Sequence, residues 1–229
     1  MQKILVIDVG GTRIKLLATG QETPRKFDSG RQITAHDMVE HVKEAVKDWE
    51  YDVVSIGYPG PVRQNSPLEE PVNLGPGWVG YDFAGHLGKP TRVMNDAAMQ
   101  ALGSYEGGRM LFLGLGTGMG SAMIVDDVIV PMELAHLPYR KNTFEDYVGV
   151  HGLEEHGKKK WLEIVNDVVT RLKVALCAEY VVLGGGNSKL LDVLPPDVHR
   201  GDNRNAFLGG YRMWDDAQAK PATPVGRPA

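Results

Sequence analysis

Residues 3–9, Lys-Ile-Leu-Val-Ile-Asp-Val, form a nearly continuous apolar run of the kind found in a strand buried on both faces. After the turn Gly10-Gly11-Thr12, residues 13–18 alternate apolar and polar, which predicts a second, antiparallel strand. From Asp37 to Trp49 the apolar positions are 38, 39, 42, 45, 46 and 49, the spacing of an amphipathic helix. Thr34, three residues before Asp37, is placed to form a capping box at its start. Strands are expected at 52–56, ending in the rigid loop 57–62, and at 91–94, running into a helix through Glu106. Residues 110–115 and 121–125 flank the glycine-rich stretch 116–120, repeating the strand–turn–strand of the N-terminus. A long helix over roughly 159–179, a strand over 180–183, the turn 184–186, a short helix and a last element at 205–214 complete the pattern.

The same theme twice predicts an α/β chain of two related lobes dividing near residue 95. The expected division is 1–95 and 96–204, with the helix 205–214 returning to complete the first lobe. The polar, Pro- and Ala-rich stretch 215–229 is expected to be a disordered tail.

Composition narrows the function. At 229 residues, 42% hydrophobic and 24% charged, the chain suits two modest lobes with a buried core. Lys and Arg number 25 against 29 Asp and Glu, a net charge of −4, which argues against a nucleic-acid or membrane-surface binder. The 28 glycines cluster at 10–11, 75–88, 103–120 and 184–186, each beside apolar runs, so they mark built turns. A lone Cys177 excludes an internal disulfide framework and a multi-cysteine zinc site, and is expected to be a packing residue in an apolar helix. No apolar run approaches the roughly 18 residues of a membrane span. The first strand starts too early for a signal peptide, so cytoplasm is expected.

Four groups of residues carry candidate chemistry. In 8–15, Asp-Val-Gly-Gly-Thr-Arg-Ile-Lys, adjacent glycines let backbone N–H groups approach an anion, Thr12 adds a hydroxyl, and Asp8 is suited to water-mediated Mg²⁺. The same residues also suit a plain tight hairpin, and they match neither a P-loop nor a dinucleotide fingerprint. In 113–121, Gly114, Gly116, Gly118 and Gly120 alternate around Thr117, giving a second loop able to surround phosphate. One such loop in each lobe suggests a phosphoryl donor held from both sides of a cleft. Asn95-Asp96, between strand and helix, is either an ordinary helix cap or a carboxylate kept ionised by the helix dipole to accept a hydroxyl proton. Glu133, His136 and Glu145 offer acceptors to neighbouring hydroxyls, whereas Glu-x-x-His without a second histidine is a poor zinc site.

Taken together, these residues resemble the ROK family of bacterial sugar kinases and repressors. The resemblance runs from about residue 3 to 214 through 8–15, Gly57-Tyr-Pro-Gly-Pro-Val62, Asn73-Leu-Gly-Pro-Gly-Trp78, Asn95-Asp-Ala97, 113–120, Glu133-Leu-Ala-His136 and Leu183-Gly-Gly-Gly186. Residues 137–148 are most similar to the polyphosphate glucokinase branch. The resemblance implies an α/β, two-lobed actin-like or hexokinase-type (ribonuclease H-like) fold with a cleft between the lobes. It implies a kinase with Asp96 as base for the 6-hydroxyl of glucose or a related hexose, the ring held by Gly60, Asn95, Glu133, His136 and Glu145. Gly10, Gly11, Thr12, Lys15, Gly116, Thr117 and Gly118 would bind donor phosphates, Gly184 and Gly185 would face a nucleotide, and Asp8 would help place Mg²⁺. A homodimer is implied as well. The family's cysteine zinc loop is missing, so no zinc is expected. Ala135 replaces a family glycine, and a positive φ there would cost on the order of 1 kcal/mol and shift His136. ATP and polyphosphate both remain open as donors, since Arg140-Lys141 and Lys158–Lys160 are either part of a cationic track or a solvated helix start. The alternatives are a catalytically inactive sugar sensor, and a kinase for mannose, fructose or an N-acetylhexosamine. A repressor is disfavoured because no basic recognition helix precedes the first loop.

Overall fold

Each of the two glycine turns joins the first two strands of a five-stranded sheet in the computed structural model, which describes residues 2–202 and 204–215. The first sheet is built from β1 (Ile4–Val9), β2 (Arg13–Ala18) and β3 (Arg25–Asp28), then, beyond helix α1 (Ala35–Ala45), from β4 (Val53–Tyr58). A small hairpin, β5 (Val62–Arg63) and β6 (Ser66–Pro67), and the short helix α2 (Phe83–Leu87) lead to its last strand, β7 (Thr91–Asn95). Helix α3 (Asp96–Ser104) then opens the second half: β8 (Arg109–Leu115), β9 (Met119–Val125) and β10 (Val128–Met132). Next come a two-residue-strand hairpin, β11 (Pro138–Tyr139) and β12 (Asn142–Thr143), and helices α4 (Phe144–Val148) and α5 (Val150–Ala175). β13 (Tyr180–Gly184), β14 (Val198–Arg200) and helix α6 (Asn205–Arg212) finish the chain.

The strand orders are β3-β2-β1-β4-β7 and β10-β9-β8-β13-β14. In both, the second strand runs antiparallel to the first and the third antiparallel to the second, while the fourth and fifth run parallel to the first. The two halves therefore repeat one topology, and their glycine turns occupy equivalent places.

The pleat of β1 explains why all six of its residues are buried. Leu5, Ile7 and Val9 enter a core beneath α1 that also holds Trp78, while Ile4 and Val6 enter a second core on the opposite face. That second core is shared: it draws Met110 and Phe112 from β8, Ala98 and Met99 from α3, and Phe207 from α6. A third core gathers around Trp161 of α5, with Leu111 and Leu113 from the other face of β8. Helices α3 and α6 thus form a layer between the sheets. They approach so closely that a β-carbon on Gly209 would lie 1.7 Å from the Met99 carbonyl oxygen. Ser55 Oγ donates to the Gly210 carbonyl at 2.6 Å and accepts from Trp214 Nε1 at 2.9 Å, tying the end of the described chain to β4.

Several expectations shift. The capping box of Thr34 and Asp37 is present, but α1 ends at Ala45, before Trp49. The long helix begins at Val150 and ends at Ala175, with a non-helical Gly157 (φ 72°) inside it. Cys177 is exposed at φ 52° just beyond that helix, and so is not the helical packing residue expected. The disordered tail expected over 215–229 lies, from 216 onward, outside the described residues.

Candidate active site

Both glycine turns and the start of α3 open into one cleft of about 730 Å³. In the first turn, Gly10 N–H donates to the Arg13 carbonyl at 3.1 Å and closes the hairpin. Ser29 holds the turn from outside: its N–H donates to the Thr12 carbonyl at 3.0 Å and its hydroxyl to the Gly10 carbonyl at 2.6 Å. In a trans peptide the N–H points opposite to the preceding C=O, so fixing the Gly10 carbonyl leaves the Gly11 N–H directed away from Ser29. Gly11 and Thr12 line the cleft, while Gly10 does not.

The second turn is held in the same way by different residues. The Val150 N–H at the start of α5 donates to both the Gly116 and Thr117 carbonyls at 3.1 Å, and Asn187 Nδ2 donates to the Gly116 carbonyl at 3.2 Å. By the same peptide geometry, the Thr117 and Gly118 N–H groups face away from this anchor, and both residues line the cleft. Two successive amides on one side make an anion-binding concavity. Gly185, at φ 78°, packs directly on Leu115, where a β-carbon would lie 2.2 Å from the Leu115 carbonyl oxygen. Gly185 reaches the cleft wall, and Gly184, the last residue of β13, does not.

The Asn95-Asp96 pair divides two jobs. Asn95 Oδ1 accepts from the Ala98 N–H at 3.0 Å and caps α3, and its Nδ2 donates to the Gly60 carbonyl at 3.1 Å. With the cap supplied by its neighbour, Asp96 is the first helical residue, and its Oδ1 accepts from the Ala97 N–H at 2.8 Å. Asp96 lines the cleft. Burial, then the charge of Asp8, then that of Glu133 push its carboxyl up to about 7, against the pull of the Ala97 N–H. The helix dipole was expected to keep this group ionised; enclosure and neighbouring carboxylates outweigh it.

The pleat also accounts for Asp8. It shares a parity with Ile4 and Val6, so its side chain falls on the face of β1 that packs toward α3. Asp8 is 7% exposed, and its cross-strand partner in the β1–β2 ladder is Lys15. Lys15 Nζ donates to Asp8 Oδ2 at 2.9 Å, and neither residue lines the cleft.

On the opposite wall Ser121 Oγ donates to the Met132 carbonyl at 2.9 Å and accepts from the Leu134 N–H at 3.1 Å, fixing the segment that carries Glu133. Burial raises the Glu133 carboxyl, His136 opposes this, and Glu145 adds to it. Glu145 is oriented by α4, whose capping box of Thr143 and Asp146 repeats the spacing of Thr34 and Asp37. His136 Nδ1 lies 3.3 Å from Glu145 Oε1. A β-carbon on Gly118 would lie 2.4 Å from Glu145 Oε2, so the second glycine turn and Glu145 are in direct contact. Ala135 has no positive φ and is buried in a single helical turn, so the feared strain on His136 is absent. Glu133, His136, Glu145, Asn95 and Gly60 all line the cleft.

Sequence reasoning missed three contributors. Asn73 and Ser121 lie in quoted segments but received no role, whereas Arg31 carried no local signal. The basic residues considered for a polyphosphate track lie off the cleft wall. Arg140 sits over the Tyr139 ring at 4.9 Å, and Lys158 and Lys160 pair with Asp192 and Glu163. Among the described residues no three His, Cys, Asp or Glu side chains gather as a metal site would, and no helix is long and apolar enough to cross a membrane.

A sequence model of the ROK family matches residues 4–131. Polyphosphate glucokinase of Mycobacterium leprae is 24% identical over 208 residues, 82% of this chain, which spans 60% of that protein's length. The inorganic polyphosphate/ATP-glucomannokinase of Arthrobacter sp. strain KM superimposes with a TM-score of 0.79 over 92% of this chain and 97% of the other, at 23% identity. A ROK family glucokinase from Streptomyces griseus, in complex with glucose and AMPPNP, gives 0.69 over 92% and 98%, at 15% identity. At these identities the structural likeness establishes the two-lobed hexokinase-type fold.

Proposed function

This chain belongs to the ROK family, and from that premise we propose that it is a hexose kinase. It transfers a phosphoryl group from ATP or polyphosphate to the 6-hydroxyl of glucose or a closely related hexose, with Asp96 as the general base. The single observation supporting this most strongly is the meeting, in one cleft, of two externally anchored amide turns and a carboxylate raised to about 7. A base acts best when its pKa lies near the working pH, and Asp96 meets that condition.

Glu133, His136, Glu145 and the free N–H of the Asn95 amide hold the ring hydroxyls on one side of Asp96. Gly11, Thr12, Thr117 and Gly118 present N–H and hydroxyl donors to the phosphates on the other. With both substrates so held, the sugar oxygen attacks the terminal phosphorus as its proton passes to Asp96, and positioning supplies most of the acceleration. Donor dipoles fixed before the reaction stabilise charge on the transferring group without reorganising. Asp8 lies behind the cleft wall with one oxygen held by Lys15, so it would reach a Mg²⁺ on the donor phosphates only through water. One carboxylate, water and donor phosphates are an ordinary Mg²⁺ set, and the ion would neutralise phosphate charge. The two sheets with their flanking helices serve as lobes 1–95 and 96–204, with α6 completing the first.

The test is a panel of purified protein, Mg²⁺, ATP or polyphosphate, and glucose, mannose, fructose or N-acetylhexosamines. Sugar 6-phosphate should form fastest with glucose or mannose. Sugar binding with no turnover of any pair would contradict the kinase proposal and favour a sensor.

A further inference from the structure

A phosphoryl donor carries several negative charges into a cleft whose walls already hold Asp96, Glu133 and Glu145. Backbone amides offer dipoles to that donor, not net charge. Lys15, the cation suggested by the first glycine motif, is engaged by Asp8 behind the wall. Among the described residues Arg31 is the only Lys or Arg that lines the cleft, and its guanidinium makes no hydrogen bond or ion pair with any of them.

The backbone around Arg31 is fixed on both sides. Ser29, two residues before it, bonds the Gly10 and Thr12 carbonyls of the first phosphate turn. Two residues after it, the Ile33 carbonyl accepts from the Gly75 N–H at 2.9 Å, and the Ile33 N–H closes the turn on the Gly30 carbonyl at 2.9 Å. Arg31 therefore projects from a turn tied to the first phosphate loop and to the 73–75 segment, and Gly11, Thr12 and Asn73 share its wall. A guanidinium in that place can engage two phosphate oxygens through parallel N–H groups on two nitrogens, a fixed fork that the single nitrogen of an ammonium does not offer.

We propose that Arg31 is a donor-binding residue that takes non-bridging oxygens of the donor's phosphate chain beside Gly11 and Thr12. This rests on the kinase reading and adds the cation that the phosphate turns lack.

The experiment compares wild type, Arg31→Ala and Arg31→Lys. Calorimetry measures binding of AMP-PNP with Mg²⁺, of tripolyphosphate with Mg²⁺, and of glucose alone; steady-state assays give KM for donor and for sugar separately. Arg31→Ala should weaken donor binding and raise donor KM about 10- to 100-fold, with glucose affinity within twofold of wild type. Arg31→Lys should recover part of the loss. The side chain is exposed, so both variants should melt at the wild-type temperature. Donor binding within twofold of wild type in Arg31→Ala, or an equal loss of sugar and donor affinity, overturns the role of Arg31 alone. If wild type binds neither donor, the kinase reading falls and Arg31 with it.

Discussion

Asp96 and Asn95 show how one dipeptide can cap a helix and still present a carboxylate to the cleft. The helix needs a cap, and Asn95 supplies it through the Ala98 N–H, which leaves Asp96 as the first residue of α3 on the cleft wall. From the local sequence, either residue could cap the helix; the hydrogen bonds give the cap to Asn95 and leave Asp96 available for the proposed role of base. The raised Asp96 carboxyl has a consequence for pH dependence. A base must be unprotonated to accept a proton, and burial with the Asp8 charge holds the proton on until about 7. Hexose phosphorylation should therefore rise about tenfold per pH unit below that point and level off above it. A kcat/KM profile between pH 5 and 9 checks this, and a flat profile down to pH 5 would contradict the environment assigned to Asp96. Ser29 was invisible from sequence because its partners, Gly10 and Thr12, lie elsewhere in the chain, and Arg31 because only the fold brings it to the cleft. Ala135 was suspected because a glycine was expected, but its backbone has no positive φ.

At the level of elements, the parts with local signals were legible. The β1 and β2 strands, the Thr34–Asp37 cap and both glycine turns follow from period, spacing and turn chemistry. The start of α5 was not, since Gly157 interrupts its period and the lysines that follow carry no apolar stripe. Strands β3 and β10 are short edge strands with half their residues or fewer turned inward, and so left little apolar pattern. The contact between α3 and α6 depends on missing β-carbons, at Gly103 against the Asn205 carbonyl and at Gly209 against the Met99 carbonyl. Gly209→Ala should force the helices apart and destabilise the protein by about 1–3 kcal/mol. It should also lower activity, because α3 carries Asp96. Urea unfolding checks the first effect as a lower midpoint with an unchanged slope; a midpoint equal to wild type would contradict the close packing.

For the whole molecule, the duplicated topology places one glycine turn in each half and brings both to a common cleft. The halves are also joined by a core to which both sheets contribute, through Val6 and Phe112 against α3 and α6. Unfolding should therefore be a single cooperative event. Single-tryptophan variants reporting from Trp78 in the first core and Trp161 in the third should lose native fluorescence at the same urea concentration. Two separated transitions would show that the shared core is too weak to couple the halves. The duplicated strand pattern was legible as a repeated theme, whereas the shared core rests on contacts between distant segments that no local pattern carries. The central claim is that Asp96 takes the sugar proton while the rest of the cleft holds the two substrates. Its most direct test is Asp96→Asn, measured for glucose binding by calorimetry and for phosphoryl transfer with Mg²⁺ and the better donor. Glucose affinity within a fewfold of wild type and a kcat reduced by about 10²–10⁴ is the predicted result; transfer at near wild-type rate would contradict it.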